Sequence, residues 1–159
     1  IEIMLNTQFL KSMEADYVHV FNCMPIDEYY DFAFGELPYR SLKFKNVTLD
    51  APHVFELPTI NFTNDGPYTR VTEWKNYPKH GVNDYLTKLT FEEPVDYREN
   101  NMERYYPVKD IHGKNRETYA KYADIRNEKV TFIGRCGLYV YIDMHQAINM
   151  ALQLARKID

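Results

Sequence analysis

The chain has 159 residues and is 45% hydrophobic, which is enough to bury one sizeable core or two small ones and excludes a disordered segment. Lys and Arg number 19 against 23 Asp and Glu, with no basic stripe to track a phosphate backbone, so nucleic acid is excluded as a partner. No apolar run reaches the roughly 20 residues of a membrane helix, and the first residues lack the layout of a secretory leader; a soluble, cytoplasmic protein with no membrane insertion is expected.

Residues 1–5 and 18–22 alternate apolar and polar side chains, which predicts two short strands of one sheet. Pro25 suits a first helical position, Asp27 and Glu28 complement the dipole, and Gly35 is a good terminator, so a helix is expected over 25–34. Cys23, before this helix, and Cys136 are the two cysteines; no metal-ligand spacing surrounds them and both are expected as buried free thiols, with no metal site.

From 39 to 91 the pattern is β-rich, with strands expected at 42–49, 59–62, 69–77 and 85–91 and turn residues Asn64, Asp65, Gly66 and Gly81 between them. The set reads as an antiparallel meander, followed by a polar loop over 92–102. Helical spacing returns at 115–125, a short strand at 130–133, and a last helix carries Met144, Ile148, Ala151 and Ala155 as one stripe, with Asp143 placed to cap it. The fold class expected is α+β with α/β parts: an antiparallel sheet domain flanked by pieces of an α/β layer. The 14 tyrosines suggest a polar aromatic surface, and a strand pattern that starts at Ile1 suggests a cut from a longer protein.

Three motifs could carry chemistry. PYTR at 67–70 places Arg70 at the start of a strand, where a guanidinium can give a bidentate fork to a phosphate or simply pair with Glu73 or another carboxylate. ERYYPV at 103–108 aims two phenols to opposite sides of an extended backbone, one of them into a cleft or both onto a half-buried surface. GRCGLYVYIDM at 134–144 leads from a buried strand to the last helix, and Gly134, Gly137, Arg135 and the free N–H groups of the helix start compose a candidate anion site; the plainer reading is a loop with a cap and two core tyrosines. His145, next to Asp143 and Met144, reads as a helix-surface residue or as one that supports its neighbours from behind, not as a general acid.

Taken in order, PIDEYYDFAFGELPYRSLKF at 25–44, INFTND, PYTR, ERYYPV and GRCGLYVYIDMHQ resemble UDP-galactopyranose mutase over nearly the whole chain. The resemblance implies a flavoenzyme that interconverts UDP-galactopyranose and UDP-galactofuranose for surface polysaccharide, with FAD as cofactor, the reduced flavin N5 as nucleophile, UDP as leaving group and no catalytic side chain in this part. It implies that Arg70, Tyr106 and Tyr141 bind the diphosphate, that Asp143 sits near sugar and flavin, and that Gly134, Arg135 and Met144 contact FAD. Domains implied are FAD-domain strands and helix at 1–36, a sheet substrate domain with one helix at 37–127, and an FAD-domain strand, loop and helix at 128–159.

Within the match, Cys23 and Met24 replace a small residue and Gly, Glu56 and Leu57 replace Gln-Gly, Glu93 replaces an aromatic and Cys136 a Leu. Glu92 matches an acid of the family. The family's dinucleotide fingerprint and helical domain are expected upstream of Ile1, so the chain alone is expected neither to turn over nor to retain FAD, and its unpartnered apolar faces favour a homo-oligomer. The alternative is a non-catalytic module that binds a nucleotide sugar without a flavin domain.

Overall fold

The computed structural model describes residues 2–80 and 83–157, so the expected turn at Gly81 and the first residue of the expected N-terminal strand lie outside it. In chain order the elements are β1 (Val20–Asn22), α1 (Ile26–Tyr29), β2 (Tyr39–Leu49), β3 (Thr59–Asn61), β4 (Arg70–Glu73), β5 (Thr87–Asp96), β6 (Tyr106–Pro107), α2 (Lys114–Ala123), β7 (Val130–Phe132), α3 (Gly134–Gly137) and α4 (Met144–Ala155). The fold is α+β. Two compact units compose it, one built from the residues up to Pro38 and those from Tyr106 onward, the other from Tyr39–Tyr105.

In the first unit β1 and β7 form a parallel pair, Val20 opposite Val130 and Asn22 opposite Phe132. The ladder partner of β1 is therefore β7 and not the N-terminal segment. Residues 2–5, the described part of the expected strand, are exposed and lie in no ladder among the described residues; a turn at Leu5 and Asn6, the latter at φ 53°, ends the run. Alternation marks a face that could be buried, and a strand also needs a hydrogen-bonded edge.

Helix α1 ends at Tyr29, short of the expected 34. Asp31 and Phe32 adopt left-handed φ values of 52° and 57°, the Asp31 N–H donates to Glu28 O at 3.0 Å and the Phe32 N–H donates to Asp27 O at 2.8 Å. This is the paired 5→2 and 6→1 closure of a Schellman end, made by an Asp, a residue that tolerates the left-handed region, four positions before the glycine that was expected to do it. Pro25 stands at the cap instead of the first helical position. The unit's core is Ile26, Tyr29, Leu37, Tyr122 and Val130. Tyr122 donates its hydroxyl to Gly35 O at 2.7 Å and accepts from Phe34 N at 2.9 Å, fastening the α1 exit to α2.

In the second unit β3, β4, β5 and β2 are hydrogen-bonded neighbours in that order, all antiparallel. The expected meander holds for β3 to β5, but β2 adds to the far edge of β5. That pairing also explains why β5 continues through Glu92, Glu93 and Pro94, where a loop was expected: these residues lie opposite Phe44, Lys43 and Leu42. A polar run can be a strand when a long neighbour supplies the ladder.

The tyrosines divide: Tyr17, Tyr77, Tyr85, Tyr105 and Tyr141 are exposed, whereas Tyr29, Tyr39, Tyr97 and Tyr122 are buried. The cysteines are free thiols as expected, but Cys23 is exposed and Cys136 half-buried instead of buried.

Candidate functional site

Arg70 opens β4, and the register decides what it meets. Asn61 lies opposite it on β3 and Glu92 opposite it on β5, so the three side chains form one row across the sheet. Arg70 Nε donates to Asn61 Oδ1 at 2.9 Å, and Nη1 stands 3.8 Å from Glu92 Oε1. The Asn61 bond fixes the guanidinium plane, whereas the half-exposed ion pair is long and contributes little. The carboxylate beside Arg70 is thus Glu92 and not Glu73. Two residues along the same face, Thr59, Thr72, Thr90 and Asn46 form a second polar row, in which Thr90 Oγ1 donates to Asn46 Oδ1 at 2.6 Å and accepts from Trp74 Nε1 at 2.7 Å.

In the other unit the segment 134–144 folds back on itself. Gly134 takes φ +74° at the carboxyl end of β7, and Gly137 packs so closely on β1 that a Cβ there would lie 2.9 Å from Asn22 O. These glycines open and close the single turn α3, and α4 begins only at Met144. The expected merger of glycines and last-helix start into one anion cradle is therefore two separate features. Arg135 Nε donates to Ile142 O at 2.6 Å, and the guanidinium carbon lies 5.4 Å from the centre of the Tyr141 ring. Tyr141 meets Tyr106 edge to face, ring centres 5.5 Å apart. Arg135, Tyr141 and Tyr106 thus compose one cluster, with Tyr141 68% exposed.

Asp143 caps α4. Its side chain accepts from the Gln146 N–H, and its own N–H donates to Gln146 Oε1 at 2.8 Å, a capping box. Met144, the first residue of α4, is 81% exposed, and the apolar stripe continues exposed through Ile148 and Leu152. His145 is exposed, as its helix-surface reading expects.

A cleft of about 1030 Å³ runs past Tyr106, Tyr139 and Tyr141 to the α2 side chains Arg116 and Tyr119. Burial pushes the Tyr139 phenol well above its ordinary range, and the carboxylates of Asp110 and Asp27 add to the rise. Burial raises Tyr119 too. Both phenols stay neutral hydrogen-bond donors at any physiological pH. At the carboxyl ends of β1 and β7, where open α/β sheets bind ligands, the buried Nδ2 of Asn22 has no hydrogen-bond partner while its Oδ1 accepts from Met24 N at 2.8 Å.

A family model described as UDP-galactopyranose mutase matches residues 1–141 of this chain. The chain belongs to the UDP-galactopyranose mutase family. It is 31% identical over 158 residues to the UDP-galactopyranose mutase of Mycoplasma pneumoniae, covering 96% of this chain and 39% of that protein. A probable UDP-galactopyranose mutase of Klebsiella pneumoniae is 33% identical over 164 residues, with 98% of this chain and 40% of that protein covered. The dTDP-fucopyranose mutase of Escherichia coli is 32% identical over 143 residues, with 88% and 37% covered. The chain therefore spans about two-fifths of the length of these mutases.

Of the residues that the mutase resemblance singles out, Arg135, Tyr141 and Tyr106 meet in one cluster, Asp143 and Met144 follow at the start of α4, Gly134 lies at the end of β7, and Arg70 stands on the sheet with Asn61 and Glu92. Asn61, Asn22 and Tyr139 were missed. Asn61 sits inside the INFTND motif, but its partnership with Arg70 is visible only from the strand register, and nothing in the letters separates Tyr139 from its neighbours. No helix among the described residues is long and apolar enough to cross a membrane, and none of their His, Cys, Asp and Glu side chains group as a metal site.

Proposed function

We propose that this chain is the diphosphate-binding and flavin-facing part of a flavin-dependent mutase that interconverts UDP-galactopyranose and UDP-galactofuranose. The single observation that carries the reading is the pair of phenols Tyr106 and Tyr141 that meet edge to face along the cleft, with Arg135 on the Tyr141 ring. The two phenols offer hydroxyl donors, part of the chemistry a diphosphate wants. Arg70 supplies the cationic donor, its guanidinium plane fixed by Asn61. In this reading Arg70, Tyr106 and Tyr141 hold the UDP diphosphate and steady the charge that grows on it as the glycosidic bond breaks, while Asp143 faces the sugar. Residues 37–127 act as the substrate domain, and 1–36 with 128–159 as parts of the FAD domain.

The residues present fit one edge of FAD. The orphaned Asn22 Nδ2 is a buried donor in need of an acceptor at the chain ends of β1 and β7, and Gly134, at φ +74°, turns the chain there with the Cys23 side chain facing it. Gly134, Arg135 and Met144 would hold the group. When bound and reduced, the flavin supplies the nucleophile for the anomeric carbon, so the chain's own side chains bind, orient and exclude water. The similarity to a dTDP-fucopyranose mutase as well as to UDP-sugar mutases agrees with a site built around the diphosphate common to those substrates.

Removing Arg70 tests the assignment. In the full-length protein that carries this sequence, Arg70→Ala is expected to weaken UDP binding by about 1.5–3 kcal/mol, the contribution of a charge-assisted contact. Calorimetric affinity equal to that of the unaltered protein removes Arg70 from the diphosphate site.

A further inference from the structure

Tyr139 has left-handed backbone, φ 48°, although it is a bulky aromatic residue that pays about 1–2 kcal/mol for that conformation. Such strain persists only where the surroundings over-determine it. Here they do. The hydroxyl donates to Pro38 O at 2.8 Å, the ring stacks on Tyr119 with centres 6.1 Å apart and planes 23° off parallel, and the N–H donates to Cys136 O at 3.4 Å. The left-handed residue reverses the chain straight after α3, so that the Val140 N–H can donate to Arg135 O at 3.0 Å and Arg135 Nε to Ile142 O. Tyr141 lies between those two tethers, with Arg135 on its face and Tyr106 at its edge.

We propose that Tyr139 is a positioning residue for the diphosphate site: its ring and hydroxyl hold a left-handed turn, and the turn aims Tyr141 at Tyr106 and Arg135. The inference rests on the proposed role of Tyr141 as a diphosphate ligand. The geometry gives Tyr139 no need to touch the substrate. Its anchors lie one step behind the cluster, on the carbonyl of Pro38 and on α2, and its effect reaches the ligand through two residues of backbone.

Gly and Ala substitutions separate this role from plain core packing. Both remove the ring and both anchors, but Gly adopts φ near +50° without penalty whereas Ala resists it. In the full-length protein, Tyr139→Ala is expected to weaken UDP binding about tenfold, the equivalent of about 1.4 kcal/mol of lost turn preference. Tyr139→Gly should recover most of that loss, to within about threefold of the unaltered protein, even if it melts at a lower temperature. Crystal structures of both variants should show the Tyr106–Tyr141 edge contact kept with Gly and lost with Ala. Equal weakening by Gly and Ala, or no weakening by either, overturns the proposal. Tyr141→Phe serves as the separate control for the ligand reading: unchanged UDP affinity there rejects Tyr141 as a ligand, while a displaced Tyr141 ring in the Ala crystal still upholds the positioning role.

Discussion

Glu73 is fully buried and accepts hydrogen bonds from four donors: the backbone N–H of Val54 at 3.0 Å and of Phe55 at 2.7 Å, Thr87 Oγ1 at 2.5 Å and Asn76 Nδ2 at 3.3 Å. Two residues on, Lys75 Nζ donates to the carbonyls of Pro52, Asn83 and Leu86. A carboxylate and an ammonium from one stretch of chain therefore pin the same loop, 50–58, which leads into β3 and Asn61. Glu73→Gln keeps the shape but replaces one acceptor oxygen by a donor that faces donors. It is expected to cost about 1–3 kcal/mol in urea unfolding, whereas Glu92→Gln at the long, partly exposed pair with Arg70 should cost under about 1 kcal/mol. Equal effects would mean that the loop is not held through Glu73. None of this was legible from the letters, because an acid in VTEWK reads as a solvated strand residue until the strand register shows that it faces inward beside Leu89.

Among the elements, α4 was read most fully. Its apolar stripe, its cap at Asp143 and its start at Met144 all follow from local spacing, and local spacing is what a helix is made of. Asp143→Ala is expected to cost about 1 kcal/mol and to speed amide exchange in the first turn of α4; protection unchanged in that turn would show the capping box to be idle. The strands β3 and β7 were legible from their own short patterns, whereas the strand expected over 69–77 ends at Glu73, where a 3-10 turn over Trp74–Asn76 takes over. What failed depended on partners distant in sequence: the N-terminal alternation found no edge, β5 grew through a polar stretch because β2 lies beside it, and α1 stopped at a Schellman end that an Asp can make as well as a Gly. The candidate site divides in the same way. Arg135 could be named from its motif, and Tyr106 and Tyr141 only through the family resemblance; the contact among them needed three dimensions, and the two glycines proved to serve α3 and its packing on Asn22 instead of the start of α4.

Across the whole molecule, the shifted groups set a window of pH stability. Burial pushes the Glu73 carboxyl up, but the Thr87 hydroxyl and the Phe55 and Val54 N–H groups outweigh it and hold the carboxyl below its ordinary value. Its stabilisation is therefore complete above the ordinary glutamate range and is lost as pH falls through the lowered folded value. Burial raises Tyr29, with the Glu14 carboxylate that accepts its hydroxyl at 2.5 Å adding to the rise, and raises Tyr122 and Tyr139 as well. Their stabilisation is present below the ordinary tyrosine value of about 10 and fades at more alkaline pH. Denaturation midpoints should accordingly form a plateau from about pH 5 to about pH 9, with an acid limb that moves in Glu73→Gln and an alkaline limb that moves in Tyr29→Phe. The parallel pair of β1 and β7 has a consequence of its own. Val20 and Val130 are about 110 residues apart along the chain, so joining them closes a loop with a large entropic cost before any contact rewards it. The antiparallel sheet of Tyr39–Tyr105 is contiguous and needs no such closure. Refolding should then proceed in two steps, with signals from Trp74, which follows β4 and donates to Thr90 of β5, recovering before those of the β1–β7 ladder, because topology sets the order in which distant segments can meet.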